Sequence, residues 1–127
     1  MNPYLLGVLG LLGIFIVGVV CYGFLFKSFL QGHEEKLSLG RFAVAGAGMY
    51  VISLAFIYLF KNTSVMNTSG VMKGIELALL IGVPFMAIPI FADAPYFKSN
   101  KAGIEWTLIV NWLVSFVVLG IIVGALA

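Results

Sequence analysis

The chain has 127 residues, of which 62% are hydrophobic and 9% are charged, and its formal net charge is +2. Soluble domains carry about a quarter charged residues, so this composition excludes a soluble domain and indicates an integral membrane protein. The single cysteine, Cys21, excludes an intrachain disulfide and a cysteine metal cluster. The length predicts one transmembrane domain, residues 1–127.

Four apolar segments are each about long enough to cross a bilayer, which takes about 20 residues. In chain order, they run from about residues 3–26, 42–60, 71–92 and 104–127. Pro3 suits the first turn of a helix, where its missing N–H is not needed. The first segment lacks a basic start and is long for a signal peptide, so we expect a retained anchor. The predicted fold class is all-α, an integral membrane four-helix bundle.

Charge counting predicts the orientation of the four spans. The first loop holds Lys27, Lys36 and Arg41, and the third holds Lys98 and Lys101. The other side holds two cationic residues, Lys61 and Lys73. By the positive-inside rule, the first and third loops are cytoplasmic and both termini lie outside, which in a bacterium means across the inner membrane.

The third span carries small residues four apart, at Gly70, Gly74, Ala78 and Gly82. This spacing places a smooth groove along one helix face, where a neighbouring helix can approach closely. The fourth span carries Gly120 and Gly124 at the same spacing. They predict tight packing within one bundle, with self-association through these two glycines as the alternative.

Two charged residues also lie in the third span, Lys73 and Glu76. Being three residues apart, they share a helix face and could neutralise each other. An intramembrane carboxylate is also a functional hypothesis, because an unpaired charge there is costly. We therefore keep two interpretations open, a structural pair and an ion pathway.

Pro84 and Pro89 each remove a helix hydrogen bond and predict a kink in the third span. The carbonyl of Phe85 would lose its donor, since Pro89 has no N–H. Counted along the helices, Asn111 and Tyr50 lie near the level of Phe85. We predict that one of their side chains points into the bundle and donates to this carbonyl. Asn111 and Tyr50 join Lys73 and Glu76 as candidates for a ligand or ion pathway.

Catalytic and metal-binding patterns are weak. His33, Glu34 and Glu35 are the only cluster of metal ligands, but adjacent residues do not share a helix face, and there is no second histidine. We therefore predict no metal site, no cofactor and no catalytic residue. An enzyme acting on lipid ranks third among the functions, with His33, Glu34 or Asp93 as its acid–base groups.

The end of the first span, GVVCYGFLFKSF, resembles the W-Y-x-P-L-F-G-K-x-W signature of a small bacterial membrane-protein family of unknown function. Tyr22, Leu25, Phe26 and Lys27 match, the last after a one-residue gap. Cys21, Phe24 and Phe29 depart from the signature, and the glycine before Lys27 is missing. The glycine-spaced third span and the ending NWLVSFVVLGIIVGAL are also similar. The resemblance implies four helices and no site residues.

Residues 107–116 resemble the T-L-x-x-N-x-x-G-S-F stretch of small dual-topology fluoride channels, through Thr107, Asn111, Ser115 and Phe116. In those channels the stretch lies on the second span, after a glycine-rich segment with an arginine that this chain lacks. Small multidrug exporters are similar in size, but they need a glutamate in the first span, which is missing here.

These observations predict a structural or partner-binding membrane protein, without enzymatic activity. The alternative is a channel or carrier for a small ion or solute. The expected partners are the lipid bilayer and either a second copy of the chain or another membrane protein, and not nucleic acid.

Overall fold

The structure is a computed structural model that describes residues 2–21, 39–63, 68–93 and 104–127. All regular structure in these ranges is helical, which confirms the all-α fold class. Helix α1 is Pro3–Val20 and helix α2 is Leu39–Asn62. Helix α3, residues 70–93, consists of an α-helix Gly70–Gly82, a π-helix Val83–Ala87 and an α-helix Ile88–Asp93. Helix α4 is Ile104–Leu126.

The four helices each contain a stretch long and apolar enough to cross a membrane. These stretches are Pro3–Val20, Ala43–Asn62, Gly70–Ile90 and Trp106–Leu126. Helix α2 begins three residues before its predicted start and ends two residues after its predicted end. Residues 22–26, the predicted end of the first span, lie outside the described residues.

Helix α1 begins where the sequence predicts. Pro3 is its first residue, and the Asn2 side chain caps it by accepting a hydrogen bond from the Tyr4 N–H at 2.8 Å. Asparagine is a favoured N-cap because its oxygen satisfies one of the free N–H groups of the first turn. The cap therefore fixes the start of α1.

Helix α4 lies between two neighbours. On one face, Gly120 and Gly124 lie against the α3 backbone at Gly74 and Gly70. About half a turn away around α4, Val118 and Ile122 lie beside Gly13 of α1. The largest buried side chains of the core include Leu6, Phe56, Leu119 and Val123, contributed by α1, α2 and α4.

Helices α3 and α4 run antiparallel. Gly70 lies against Gly124 and Gly74 against Gly120, so the residue numbers of the contacts rise along α3 and fall along α4. Helix α4 is parallel to α1, because Gly10 lies beside Leu119 and Gly13 beside Ile122, and α1 is parallel to α2 through the hydrogen bonds of Tyr50 and Ser53. Helices α2 and α4 therefore run in the same direction.

The first and second helices run in the same direction where they touch. The Tyr50 hydroxyl donates to the Tyr4 carbonyl at 3.2 Å, and the Ser53 hydroxyl donates to the Gly7 carbonyl at 3.0 Å. Both bonds join residues 46 apart in sequence, so the contacting residue numbers rise together along α1 and α2, as they do in parallel helices. The charge-based orientation treats successive spans as alternating in direction. Helices α2, α3 and α4 alternate, whereas α1 and α2 do not.

Candidate functional site

The closest helix contact is a glycine seam between α3 and α4, made of Gly70, Gly74, Gly120 and Gly124. A Cβ atom added at Gly74 would overlap the Gly120 carbonyl oxygen, and one added at Gly120 would overlap the carbonyl oxygen of Gly74. The two backbones therefore touch directly, a separation that only glycine allows. Gly120 and Gly124 are used in packing within one bundle, the first of the two interpretations of their spacing.

The remaining small residues of the ladder also face inward. Ala78 is fully buried, and a Cβ atom at Gly82 would lie 2.8 Å from the Leu113 Cδ2 atom of α4. Gly70 has a φ of +61°, a left-handed conformation that favours glycine, and it forms the first residue of α3. The seam thus fixes how α3 sits on α4.

The predicted pair of Lys73 and Glu76 is wrong for the described residues. The Lys73 ammonium lies over the Phe60 ring, 4.7 Å from its centroid. The Thr68 hydroxyl donates to Glu76 Oε2 at 2.8 Å. Spacing along one helix placed the two charges on the same face, but each side chain finds a partner outside α3.

A double-mutant cycle tests this arrangement. We expect Lys73→Met to lose about 0.5–1 kcal/mol from the cation–π contact. Glu76→Gln should cost little, because the amide oxygen can still accept from Thr68. Without a direct pair, the two losses should add to within about 0.5 kcal/mol when unfolding is followed in detergent. A double variant that regains most of the loss of a single variant would show that the charges do pair.

The kink in α3 takes the form of a π-helix. The Ile88 N–H donates to the Val83 carbonyl, five residues back, instead of the Pro84 carbonyl four residues back. The next residue, Pro89, has no N–H to give. The Pro84 carbonyl therefore has no donor four or five residues on, and the Phe85 carbonyl, for which the sequence predicts the missing bond, likewise has Pro89 four residues on.

The residues around the Pro84 carbonyl are exposed. A helix carbonyl points along the axis between its own residue and the residue four positions on. Pro84 is exposed and Ile88 is 58% exposed. The neighbouring Phe85 side chain is 78% exposed, among the largest exposed fractions in the described helices. We call the surface of Val83, Pro84, Phe85 and Ile88 the kink face.

The predicted hydrogen bonds from Asn111 and Tyr50 to the kink do not form. Tyr50 donates to the Tyr4 carbonyl instead. Asn111 is 5% exposed, but it precedes Gly120 by nine residues, or two and a half turns, so it lies on the side of α4 that faces away from α3. Counting residues gave the depth of Asn111 correctly but could not give its rotation about the helix axis.

Four polar side chains are buried in the described helices, namely Ser53, Thr107, Asn111 and Ser115. Ser53 is fully buried and bonded to Gly7, and the sequence analysis missed it. Its position inside an apolar span was the available signal, since polar side chains there commonly bond across helices. Asn111 Oδ1 and Ser115 Oγ have no hydrogen-bond partner among the described residues.

Several candidate residues lie outside the described residues. They are His33, Glu34 and Glu35, for which no metal site was predicted, the matched residues of the family signature from Tyr22 to Lys27, and the side chain of Asp93. Within the described part of the chain, no group of three or more potential metal ligands is found. Cys21 is buried at the end of α1.

Comparison of the chain with protein-family models, with curated proteins and with solved structures finds no match.

Proposed function

We propose that the chain is a structural or partner-binding integral membrane protein without catalytic activity, and that the kink face of α3 is its docking surface. The observation that carries this proposal is the Pro84 carbonyl, which loses its helix donor because the Ile88 N–H bonds the Val83 carbonyl, at a part of α3 whose residues are exposed. In lipid, an unsatisfied backbone carbonyl costs several kcal/mol, because no water is available to bond it.

The kink face indicates the chemistry of its partner. A transmembrane helix that carries a serine, threonine, asparagine or glutamine could donate a hydrogen bond to the Pro84 carbonyl. Around this carbonyl, the exposed Phe85 and Ile88 side chains offer apolar surface for van der Waals packing. A second copy of the chain and a different membrane protein are the two kinds of partner that meet this description.

Site-specific photo-crosslinking in native membranes tests the docking surface. A benzoylphenylalanine at Phe85 should give a discrete protein adduct, whereas the same group at Ile16, 60% exposed on α1, should react with lipid only. In the Pro89→Ala background residue 89 regains an N–H that can donate to the Phe85 carbonyl, four residues back, or to the Pro84 carbonyl, five residues back, so the adduct yield should fall. Two differently tagged copies distinguish a homo-oligomer from a mixed complex.

Protein adducts of equal yield at Phe85 and Ile16 would contradict the proposal, as would lipid adducts alone at both positions. An adduct yield that is unchanged by Pro89→Ala would show that a partner docks on the kink face without binding the Pro84 carbonyl.

The second candidate function is a channel or carrier for a small ion or solute. It is favoured by the buried polar stripe of α4, where Asn111 and Ser115 lack partners among the described residues. The other candidates are engaged elsewhere, since Lys73, Glu76 and Tyr50 each have a partner. Ion or solute flux in proteoliposomes that is abolished by Asn111→Leu, with unchanged folding, would move this function to first place.

The proposed location is the bacterial inner membrane, with the third loop in the cytoplasm and the C-terminus outside; because α1 is parallel to α4, the N-terminus then lies on the cytoplasmic side instead of outside. The charge count supports this orientation. An impermeant amine reagent applied to intact cells should then label Lys61, at the end of α2, and leave Lys101 in the third loop unlabelled. Preferential labelling of Lys101 would reverse the orientation, and equal labelling would indicate dual topology.

A further inference from the structure

Asn111 and Ser115 form a pair of buried polar groups that the chain does not satisfy. Asn111 is 5% exposed and Ser115 is 1% exposed. The Asn111 Oδ1 and Ser115 Oγ atoms have no hydrogen-bond partner among the described residues. Being four residues apart on α4, the two side chains lie one above the other on the same face. Buried polar atoms are nearly always hydrogen-bonded, so this pair calls for an explanation.

The pair faces α1. Spacings of four, three and four residues place Asn111, Ser115, Val118 and Ile122 on one stripe of α4. Val118 and Ile122 lie beside Gly13 of α1, so the polar end of this stripe meets the same helix. Helices α1 and α4 run in the same direction, because Gly10 lies beside Leu119 and Gly13 beside Ile122.

The register places the pair at the start of α1. Gly13 lies level with Val118 and Ile122. On α4, Asn111 lies seven residues before Val118 and eleven before Ile122. On α1, residues 2–6 lie seven to eleven residues before Gly13, so they are level with Asn111. This is the turn where the Asn2 side chain caps the helix and the Tyr4 carbonyl accepts from Tyr50. The pair therefore lies at a polar level of an otherwise apolar bundle.

The nearby hydroxyl groups do not reach the pair. Ser53 donates its hydrogen to the Gly7 carbonyl, and Tyr50 donates its hydrogen to the Tyr4 carbonyl. Each hydroxyl has only one hydrogen to donate. Neither of these hydroxyl hydrogens is therefore free to donate to Asn111 Oδ1.

The chemistry of the surroundings selects a neutral ligand. Helix α1, Pro3–Val20, contains no charged residue, and Lys73 lies over Phe60 near the other end of the bundle. Among the described side chains, a charged ligand would find no counter-charge here, which makes its burial costly. An amide and a hydroxyl can each donate and accept, so they suit a molecule that does both. The small exposed fractions of the two side chains restrict its size.

We propose that Asn111 and Ser115 bind a water molecule between α4 and the first turn of α1. A buried water typically makes about three hydrogen bonds to otherwise unsatisfied groups. The carboxamide oxygen of Asn111 accepts from this water, and the Ser115 hydroxyl donates to it or accepts from it. The site is independent of the docking surface on α3, which lies on the other side of α4.

Water-edited solid-state NMR of the full chain in bilayers, with asparagine labelled by nitrogen-15, tests this site. The side-chain amide of Asn111 should receive polarisation from water although it is buried. Asn62, an exposed asparagine whose amide donates to the Tyr58 carbonyl, is the positive control. Ser115→Ala removes the second ligand and should reduce the transfer to Asn111 at least twofold, with that to Asn62 unchanged.

An Asn111 signal that receives no polarisation from water would overturn the proposal. A transfer that persists unchanged in Ser115→Ala would also overturn it, because the water would then not bridge the two residues. Ser53→Ala is the matched control, since it removes a buried hydroxyl that already has a partner and should leave the Asn111 signal as it is.

Discussion

Gly74→Ala is expected to destabilise the bundle by at least about 3 kcal/mol, at the upper end of overpacking costs. The added Cβ would overlap the Gly120 carbonyl, and a backbone atom can move only if the two helices separate. The matched control is Gly18→Ala on α1, where nothing lies within 4 Å of an added Cβ. The control should be neutral or gain up to about 1 kcal/mol from better helix propensity.

A third variant compares how tightly the two ends of the contact between α3 and α4 are packed. At Gly82 the obstructing atom is Leu113 Cδ2, the end of a flexible side chain, so Gly82→Ala should cost less than Gly74→Ala. Thermal unfolding in detergent measures all three variants. Equal stability of Gly74→Ala and Gly18→Ala would mean that α3 and α4 do not meet through glycine.

Gly10→Ala is expected to loosen α1, at a cost of about 1–3 kcal/mol. The new Cβ would overlap the Ser53 hydroxyl oxygen and would lie 2.6 Å from Leu119 Cδ1. Removing that oxygen should relieve part of the clash. In the Ser53→Ala background, the cost of Gly10→Ala should therefore fall by about 1 kcal/mol.

Ser53→Ala alone should cost about 0.6–1.7 kcal/mol, the range measured for interhelical hydrogen bonds in membranes. The quantity to measure is the coupling free energy of the cycle, from chemical unfolding in mixed micelles. Strictly additive losses would place Gly10 away from Ser53, and α1 would then not dock as described.

The sequence predicted the elements that depend on local chemistry. Apolar length and low charge indicated four helices, and Pro3 marked the beginning of α1. The ladder at Gly74 and Gly82 predicted a close neighbour, because spacing of four residues fixes a helix face. It could not identify that neighbour as α4, since Gly7, Gly10 and Gly13 of α1 offered an equally smooth surface.

The kink was predicted in position but not in register. Either proline alone would leave the carbonyl four residues before it without a donor. Acting together, Pro84 and Pro89 border a π-helix, and the Ile88 N–H shifts to the Val83 carbonyl. That shift takes the donor from the Pro84 carbonyl, and no rule of spacing predicts it.

The side-chain partners of the candidate site needed tertiary information. Lys73 finds a ring from α2, and Glu76 finds Thr68 before the start of its own helix. The direction of α1 could not be predicted from the sequence either, because charge counting assumes that successive spans alternate in direction. The two bonds from Tyr50 and Ser53 to α1 are what reveal it.

The central claim about the fold, on which the water site depends, is the direction of α1, parallel to α2 and α4. Cysteine crosslinking tests it most directly, in a Cys21→Ser background. A short bismaleimide should join cysteines at Tyr4 and Tyr50, whose side chain reaches the Tyr4 carbonyl, within one chain. It should not join Tyr4 and Tyr58, which an antiparallel α1 would bring together. Crosslinking of Tyr4 to Tyr58, with none to Tyr50, would contradict the arrangement.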